Sequence, residues 1–211
     1  KEMPPYEDAT QKGEELYTKK FANGNSLQTC FPDLTNAGTY PYYDKNKKEL
    51  ISLTKAVNDC LRANGEKEWG TKKGPMAEFQ AYWVNESKEA GKKFDIKINS
   101  KAEKEAYERG KEYYYTQRGY LKLSCATCHI QGSGQRVRNE VLSPLLGQVT
   151  HFPVLRLKWT DIGTVERRLS GCVVDQGQVP PKDESQTMIE LIYFLAYMSN
   201  DMPVDGPDVR K

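Results

Sequence analysis

Leu50, Leu53, Val57 and Leu61 recur at i, i+3, i+7 and i+11, so residues 48–63 read as an amphipathic helix that carries Cys60 near its end. The same spacing of Leu16, Tyr17 and Phe21 predicts a helix over 8–22. Pro75 stands at a plausible first helical position and opens another over 75–86. A Lys-rich polar connector follows over 87–100, and Ser100 with Glu103 then forms a capping-box signature for a helix to about Gln117. Two further helices are predicted over 162–170 and 185–199, the last of them strongly apolar. No run of alternating segments follows in succession, so any sheet is minor and the chain is mainly α.

The pattern repeats. A helix with Gly13-Glu-Glu-Leu-Tyr-Thr18 followed by Cys30 parallels a helix with Gly110-Lys-Glu-Tyr-Tyr-Tyr-Thr116 followed by Cys125. Cys60 lies 16 residues before Met76-Ala-Glu-Phe79, and Cys172 lies 16 before Met188-Ile-Glu-Leu191. That register lays Glu78 on Glu190 and Ser87 on Ser199. Two matches in the same order point to a duplication, with one unit over 1–93 and the second over 94–211.

Composition changes this picture little. Of 211 residues, 37% are hydrophobic and 28% charged, and mean hydropathy is −0.77, yet 13 Tyr, 3 Trp and 6 Phe remain to build a core. Net charge is +2, which gives no footprint for nucleic acid. The apolar stretch around Met188–Met198 is too short to span a bilayer. A start at Lys1 fits a mature protein whose export signal has been removed.

The chemistry sits in the second unit. Cys125-Ala-Thr-Cys128-His129 is the c-type haem attachment motif: two thioethers anchor the porphyrin and the adjacent His is forced under the iron. Zinc would need further Cys or His at close spacing, and a redox disulfide would need a βαβ setting. The first unit offers Cys30-Phe-Pro-Asp-Leu34, with no second Cys beside it and no His in residues 1–100. One covalent haem is therefore expected, with Cys125 and Cys128 as attachment points and His129 as an axial ligand. Cys30 and Cys60 are the thiols left in the first unit, and a disulfide between them is the economical reading in an oxidising compartment, against two free buried cysteines. For the other axial position the residues leave alternatives: Met188, Met198 or Met202, then Cys172, then His151. Arg168 lies one helical turn before Cys172, where a guanidinium would favour the thiolate and bind an anion. Arg167 reads as a solvated helix residue.

Several segments together resemble the SoxA family, the larger subunits of the SoxAX cytochromes of bacterial thiosulfate oxidation. They are Ser124-Cys125-Ala-Thr-Cys128-His129, Phe152-Pro153-Val-Leu-Arg156 with Trp159, Arg168-Leu-Ser-Gly-Cys172, and Phe194-Leu-Ala-Tyr-Met-Ser-Asn200. The resemblance implies tandem cytochrome c domains, the first without haem. It also implies His129 and Cys172 as axial ligands, with Cys172 open to persulfide modification, and Arg168 in the substrate pocket. The implied activity is that of an L-cysteine S-thiosulfotransferase, a periplasmic enzyme that couples thiosulfate oxidatively to a cysteine of the SoxY carrier protein. Two electrons would leave through a SoxX-type monohaem partner in a heterodimer, with room for a third small subunit. The single-haem branch of the family carries a disulfide where the first haem was lost. Cys60 would then match the former distal ligand, and Cys30 one of the former attachment cysteines. The chain departs from the family after Cys172, where no basic residue appears before Lys182; Arg156, Lys158 and Lys182 are candidates for a second substrate-binding cation. The rival reading is a simple periplasmic electron-transfer cytochrome with Met ligation.

Overall fold

The computed structural model describes residues 4–137 and 140–210. Among the described residues seven α-helices carry the fold: α1 (Glu7–Thr18), α2 (Leu27–Cys30), α3 (Leu53–Ala63), α4 (Pro75–Glu89), α5 (Lys101–Tyr115), α6 (Val165–Asp175) and α7 (Gln186–Tyr197). The strands are short and pair only locally. β1 (Tyr42–Asp44) and β2 (Glu49–Ile51) form an antiparallel hairpin, as do β3 (Arg136–Val137) and β4 (Glu140–Val141). β5 (Val154–Arg156) pairs antiparallel with β6 (Asp161–Gly163) and parallel with β7 (Asp208–Arg210). The mainly helical expectation is met.

Two apolar clusters organise these elements. One gathers Tyr17, Leu27, Val57, Leu61, Met76, Phe79 and Trp83, and the other Tyr114, Leu145, Leu169, Met188, Leu191, Tyr193 and Phe194. Trp83, Tyr114 and Tyr193 are fully buried, and each such aromatic contributes about 1.5–3 kcal/mol by leaving water. The helix pairs α1–α4 and α5–α7 form the two cores, and both crossings depend on a glycine. A Cβ at Gly13 would lie 2.2 Å from the Glu78 carbonyl oxygen, and one at Gly110 would lie 2.0 Å from that of Glu190. No other residue allows the backbones so close.

Several local features recur in the two halves. Pro41 precedes β1 and Pro153 precedes β5. Ser52 and Thr164 cap α3 and α6, each accepting a hydrogen bond from the backbone N–H three residues on. Both helices have 11 residues, and the eighth is Cys60 in one and Cys172 in the other. Ser87 and Ser199, both buried, donate back to the carbonyls of Trp83 and Leu195. Ser26 with Thr29 and Ser124 with Thr127 form the same reciprocal capping arrangement. That last match sets Cys30 on Cys128, Leu27 on Cys125 and Phe31 on His129.

Several boundaries differ from the sequence reading, α4 for one running on to Glu89. Residues 49–51 pair with 42–44 instead of starting α3, because Ser52 caps the helix there. α1 stops at Thr18, ahead of Lys19-Lys20. α6 continues five residues past Ser170, through Gly171 and Cys172 to Asp175.

Candidate haem and thiolate site

Cys125 and Ala126 begin a helical turn that widens into a π-helical turn over Thr127–Gln131, so Cys125, Cys128 and His129 are displayed from one short segment. Its entry is fixed by Ser124, whose hydroxyl accepts from the Thr127 N–H at 3.2 Å while the Thr127 hydroxyl accepts from the Ser124 N–H at 3.1 Å. The sulfurs of Cys125 and Cys128 are unbonded, as is that of Cys172. His129 Nδ1 lies 2.8 Å from the Ser143 carbonyl oxygen. That contact selects the Nδ1–H tautomer, orients the ring and leaves the Nε2 lone pair for a metal. Burial pushes the imidazole below its usual range, the Ser143 carbonyl opposes this, and the Arg168 charge adds to it.

These residues fit a covalently held haem. Cys125 and Cys128 would take the thioethers and His129 Nε2 the iron, against an apolar wall that includes Tyr114, Leu145 and Val149. Among the described residues no group of three or more His, Cys, Asp or Glu side chains is placed to hold a metal ion directly, which is the arrangement zinc would need.

Cys172 comes to the same place from α6. Its charge opposes ionisation of Cys125, whose thiol burial already pushes up to about 12, and Cys128 opposes ionisation of Cys172. Burial pushes the Cys172 thiol up, and the Arg168 guanidinium leads the effects that lower it, with Arg156 also contributing. Arg168 lies one turn before Cys172 on α6, and its Nη2 is 3.4 Å from Glu140 Oε2. Arg156 on β5 donates to the other oxygen of Glu140.

The other candidates for the second axial position stand in different surroundings. Met188 is fully buried in the apolar cluster, and Met198 accepts from the Tyr107 hydroxyl at 3.7 Å. Met202 Sδ lies 3.1 Å from where a Cβ of Gly147 would stand. His151 stacks on Phe152 with centroids 4.7 Å apart, and burial, with Arg210, holds it down to about 4.

A groove of about 310 Å³ runs past Gly171, the chain neighbour of Cys172, lined by Ser170, Gly171, Val174 and Asp175 of α6 and by Lys72, Arg156, Lys158, Arg167 and Arg168; Cys172 itself is not in its lining. Of the three cations named from sequence, Arg156 and Lys158 line it and Lys182 does not. Lys72, from the first half of the chain, was not legible as a member. It arrives because its loop docks on α6: Thr164 donates its N–H to the Lys72 carbonyl and its hydroxyl to that of Thr71, while Asp183 accepts from Thr71 and Ser170. Arg167 also departs from the solvated reading. It pairs with Asp161 and lies 4.3 Å over the Trp159 ring, because α6 packs its first turns on the β5–β6 hairpin.

Comparison with known proteins agrees with this geometry. The family model described as SoxA/TsdA, cytochrome c domain, matches residues 12–91 and 109–204. Proteins named L-cysteine S-thiosulfotransferase subunit SoxA are similar over the whole chain. The one from Chlorobaculum tepidum is 44% identical, with 73% of its length covered, and the one from Allochromatium vinosum is 39% identical, with 75% covered. The crystal structure of SoxXA from P. pantotrophus superimposes with a TM-score of 0.88 at 28% identity, covering 98% of this chain and 79% of that one. The chain belongs to the SoxA/TsdA cytochrome c domain family, on its SoxA side.

Proposed function

We propose that this chain is the haem-thiolate subunit of an L-cysteine S-thiosulfotransferase, with Cys172 and Arg168 as its catalytic residues. The observation that carries the reading is the placement of Cys172 beside the Cys125–Cys128–His129 turn, with Arg168 one helical turn away in a cationic groove. The relatives' shared name supports the same activity. Thiosulfate and a carrier-protein cysteine are joined as an S-thiosulfonate: R–SH and S₂O₃²⁻ give R–S–S–SO₃⁻, one proton and two electrons. A haem held by Cys125, Cys128 and His129 would supply one-electron redox chemistry, with a SoxX-type partner as the onward acceptor.

The chain's own residues do the rest. His129 would hold the iron through Nε2, its ring oriented by the Ser143 carbonyl, and Cys172 would serve as a second iron ligand. Arg168 holds the sulfonate end of thiosulfate against repulsion from the nearby thiolate. As a persulfide, Cys172 would bond its outer sulfur to the terminal sulfur of thiosulfate with loss of two electrons. The carrier thiolate would then attack that thiosulfate sulfur, forming the product and expelling the Cys172 persulfide unchanged.

The first half, residues 1–93, is a cytochrome c-like domain without haem, and residues 94–211 carry the single haem. Its support is the disulfide joining Cys30 to Cys60, with Leu27 and Phe31 where the second half has Cys125 and His129. The same disulfide supports a periplasmic setting; no described helix is long and apolar enough to cross a membrane. A SoxX-type monohaem cytochrome is the proposed heterodimer partner, SoxY the protein substrate, and a third small subunit is compatible with both.

Cys172→Ala tests the assignment. Coupling of thiosulfate to the carrier cysteine is abolished, the haem stays covalently attached, and the low-spin thiolate signal disappears from the ferric electron paramagnetic resonance spectrum. Full coupling activity in this variant would overturn the catalytic role of Cys172.

A further inference from the structure

Glu140 bridges the two arginines of the groove with a single carboxylate. Its Oε1 accepts from Arg156 Nη2, and its Oε2 lies 3.4 Å from Arg168 Nη2. The three side chains are not equally fixed. Arg156 is only 5% exposed, and its guanidinium carbon lies 5.2 Å from the centre of the Trp159 ring, so it forms a rigid floor. Glu140 is 42% exposed and stands on β4, a two-residue strand that pairs only with β3. Arg168 is 32% exposed, so the carboxylate and Arg168 form the solvent side of the trio over the buried Arg156.

A carboxylate with one oxygen on each of two guanidiniums makes the same contacts as two oxygens of a sulfonate group. We propose that Glu140 is an internal stand-in for the substrate anion, which thiosulfate displaces from Arg156 and Arg168 when it enters the groove. This rests on the reading above that Arg168 holds the sulfonate end of thiosulfate.

Two consequences follow from charge. A monoanion offers the arginines no more than Glu140 already does, so chloride and nitrate compete poorly for the site. A dianion offers more, which biases the groove toward thiosulfate and away from the monovalent anions that outnumber it. Glu140 is thus a specificity-determining residue. Its displacement requires a side-chain rotation at a partly exposed position and no change in the fold.

The test is calorimetric titration of the ferric, haem-loaded protein with thiosulfate, without carrier protein, repeated in the presence of nitrate. Glu140→Gln keeps the shape and an acceptor oxygen but loses the competing charge. Its Kd for thiosulfate falls about fivefold, the effect of removing one partly exposed charge partner, and nitrate becomes an effective competitor. Glu140→Ala, which also removes the bridge, tightens binding in the same direction. Unchanged or weaker thiosulfate binding in Glu140→Gln overturns the proposal, and weaker binding in Glu140→Ala alone would identify a positioning role instead. Arg168→Ala separates this from the underlying reading. If that variant binds thiosulfate as the parent does, the substrate role of Arg168 fails; if it loses binding while Glu140→Gln changes nothing, only the stand-in fails.

Discussion

Replacing Glu166 with glutamine should remove a pH dependence of stability that this one carboxyl creates. Glu166 is 1% exposed, in the first turn of α6, and its Oε2 has no hydrogen-bond partner among the described residues. It lines a cavity of about 60 Å³ between the two apolar clusters, together with Ser52, Gln80, Phe152 and Ile192. Burial raises its pKa from 4.5 to about 7, opposed by hydrogen bonds from Thr54 and Thr164 and reinforced by the charge of Asp183. The folded chain therefore keeps a proton that the unfolded chain has released between those two pH values. Stability from this group is complete below pH 4.5 and is lost as pH rises through 7. At 1.36 kcal/mol per unit the loss approaches about 3 kcal/mol. The amide introduced by Glu166→Gln cannot titrate, so the variant's stability should fall by about 3 kcal/mol less than the parent's between about pH 4.5 and pH 8. Urea denaturation followed by tryptophan fluorescence at about pH 4.5, 6, 7 and 8 measures both curves. Parallel curves, agreeing to within about 1 kcal/mol across that range, would refute the account of Glu166 as a buried group protonated by its surroundings.

Replacing Cys30 and Cys60 with serine opens a loop with a sequence separation of 30, worth about 3–4 kcal/mol on the chain-entropy model. The urea midpoint should fall accordingly with the haem absorption unchanged, and an unmoved midpoint would count against the disulfide as a staple of the first half. Gly110→Ala forces a methyl carbon to within 2.0 Å of the Glu190 carbonyl oxygen and so drives α5 from α7. A cost of about 1–3 kcal/mol is expected, visible as a melting temperature several degrees lower. Gly70→Ala, where a Cβ meets nothing within 4 Å, should leave it unmoved; equal effects at the two positions would show that the helix crossing does not depend on its glycine.

How much of this was legible in the sequence follows from the range of each interaction. The Cys125–His129 motif and the Arg168–Cys172 spacing are local, so their chemistry reads directly from residue types. The duplication also reads through, since Gly13 and Gly110 stand where two helices cross and Cys60 and Cys172 keep one distance to Met76 and Met188. The groove does not. Lys72 enters it through hydrogen bonds that join the first half to α6 across more than 90 positions, such as that from Thr164 to Thr71. Glu140 sits on a two-residue strand too short for alternation to reveal, and its partners are Arg156, 16 positions on, and Arg168, 28 positions on. The start of α3 misled for a related reason. Leu50 fits the helical period and is fully buried, but its backbone pairs with Tyr43 and its N–H donates to Gln186 far along the chain. Side-chain periodicity marks burial there without marking backbone conformation.

The two halves differ physically at the place where a haem would lie. In the second half the residues at the two matched cysteine positions, Cys128 and Cys172, have separate, unbonded sulfurs. In the first half the residues at those positions, Cys30 and Cys60, are bonded to each other with their Cα atoms 6.2 Å apart. A porphyrin cannot lie between two sulfurs that share a bond. The volume is filled instead by side chains: Phe31, standing where the second half has His129, packs its ring 4.6 Å from that of Trp83 and 6.2 Å from that of Phe79. Leu27, standing where the second half has Cys125, is fully buried beside them. The disulfide and the aromatic cluster together build this part of the first core, and α1 crosses α4 at Gly13. What the first half retains toward the chemistry is position. By holding the Lys72 loop against α6 through Thr71, Thr164 and Asp183, it completes one wall of the groove beside Gly171. The first half thus contributes a side chain, Lys72, to the groove of the second.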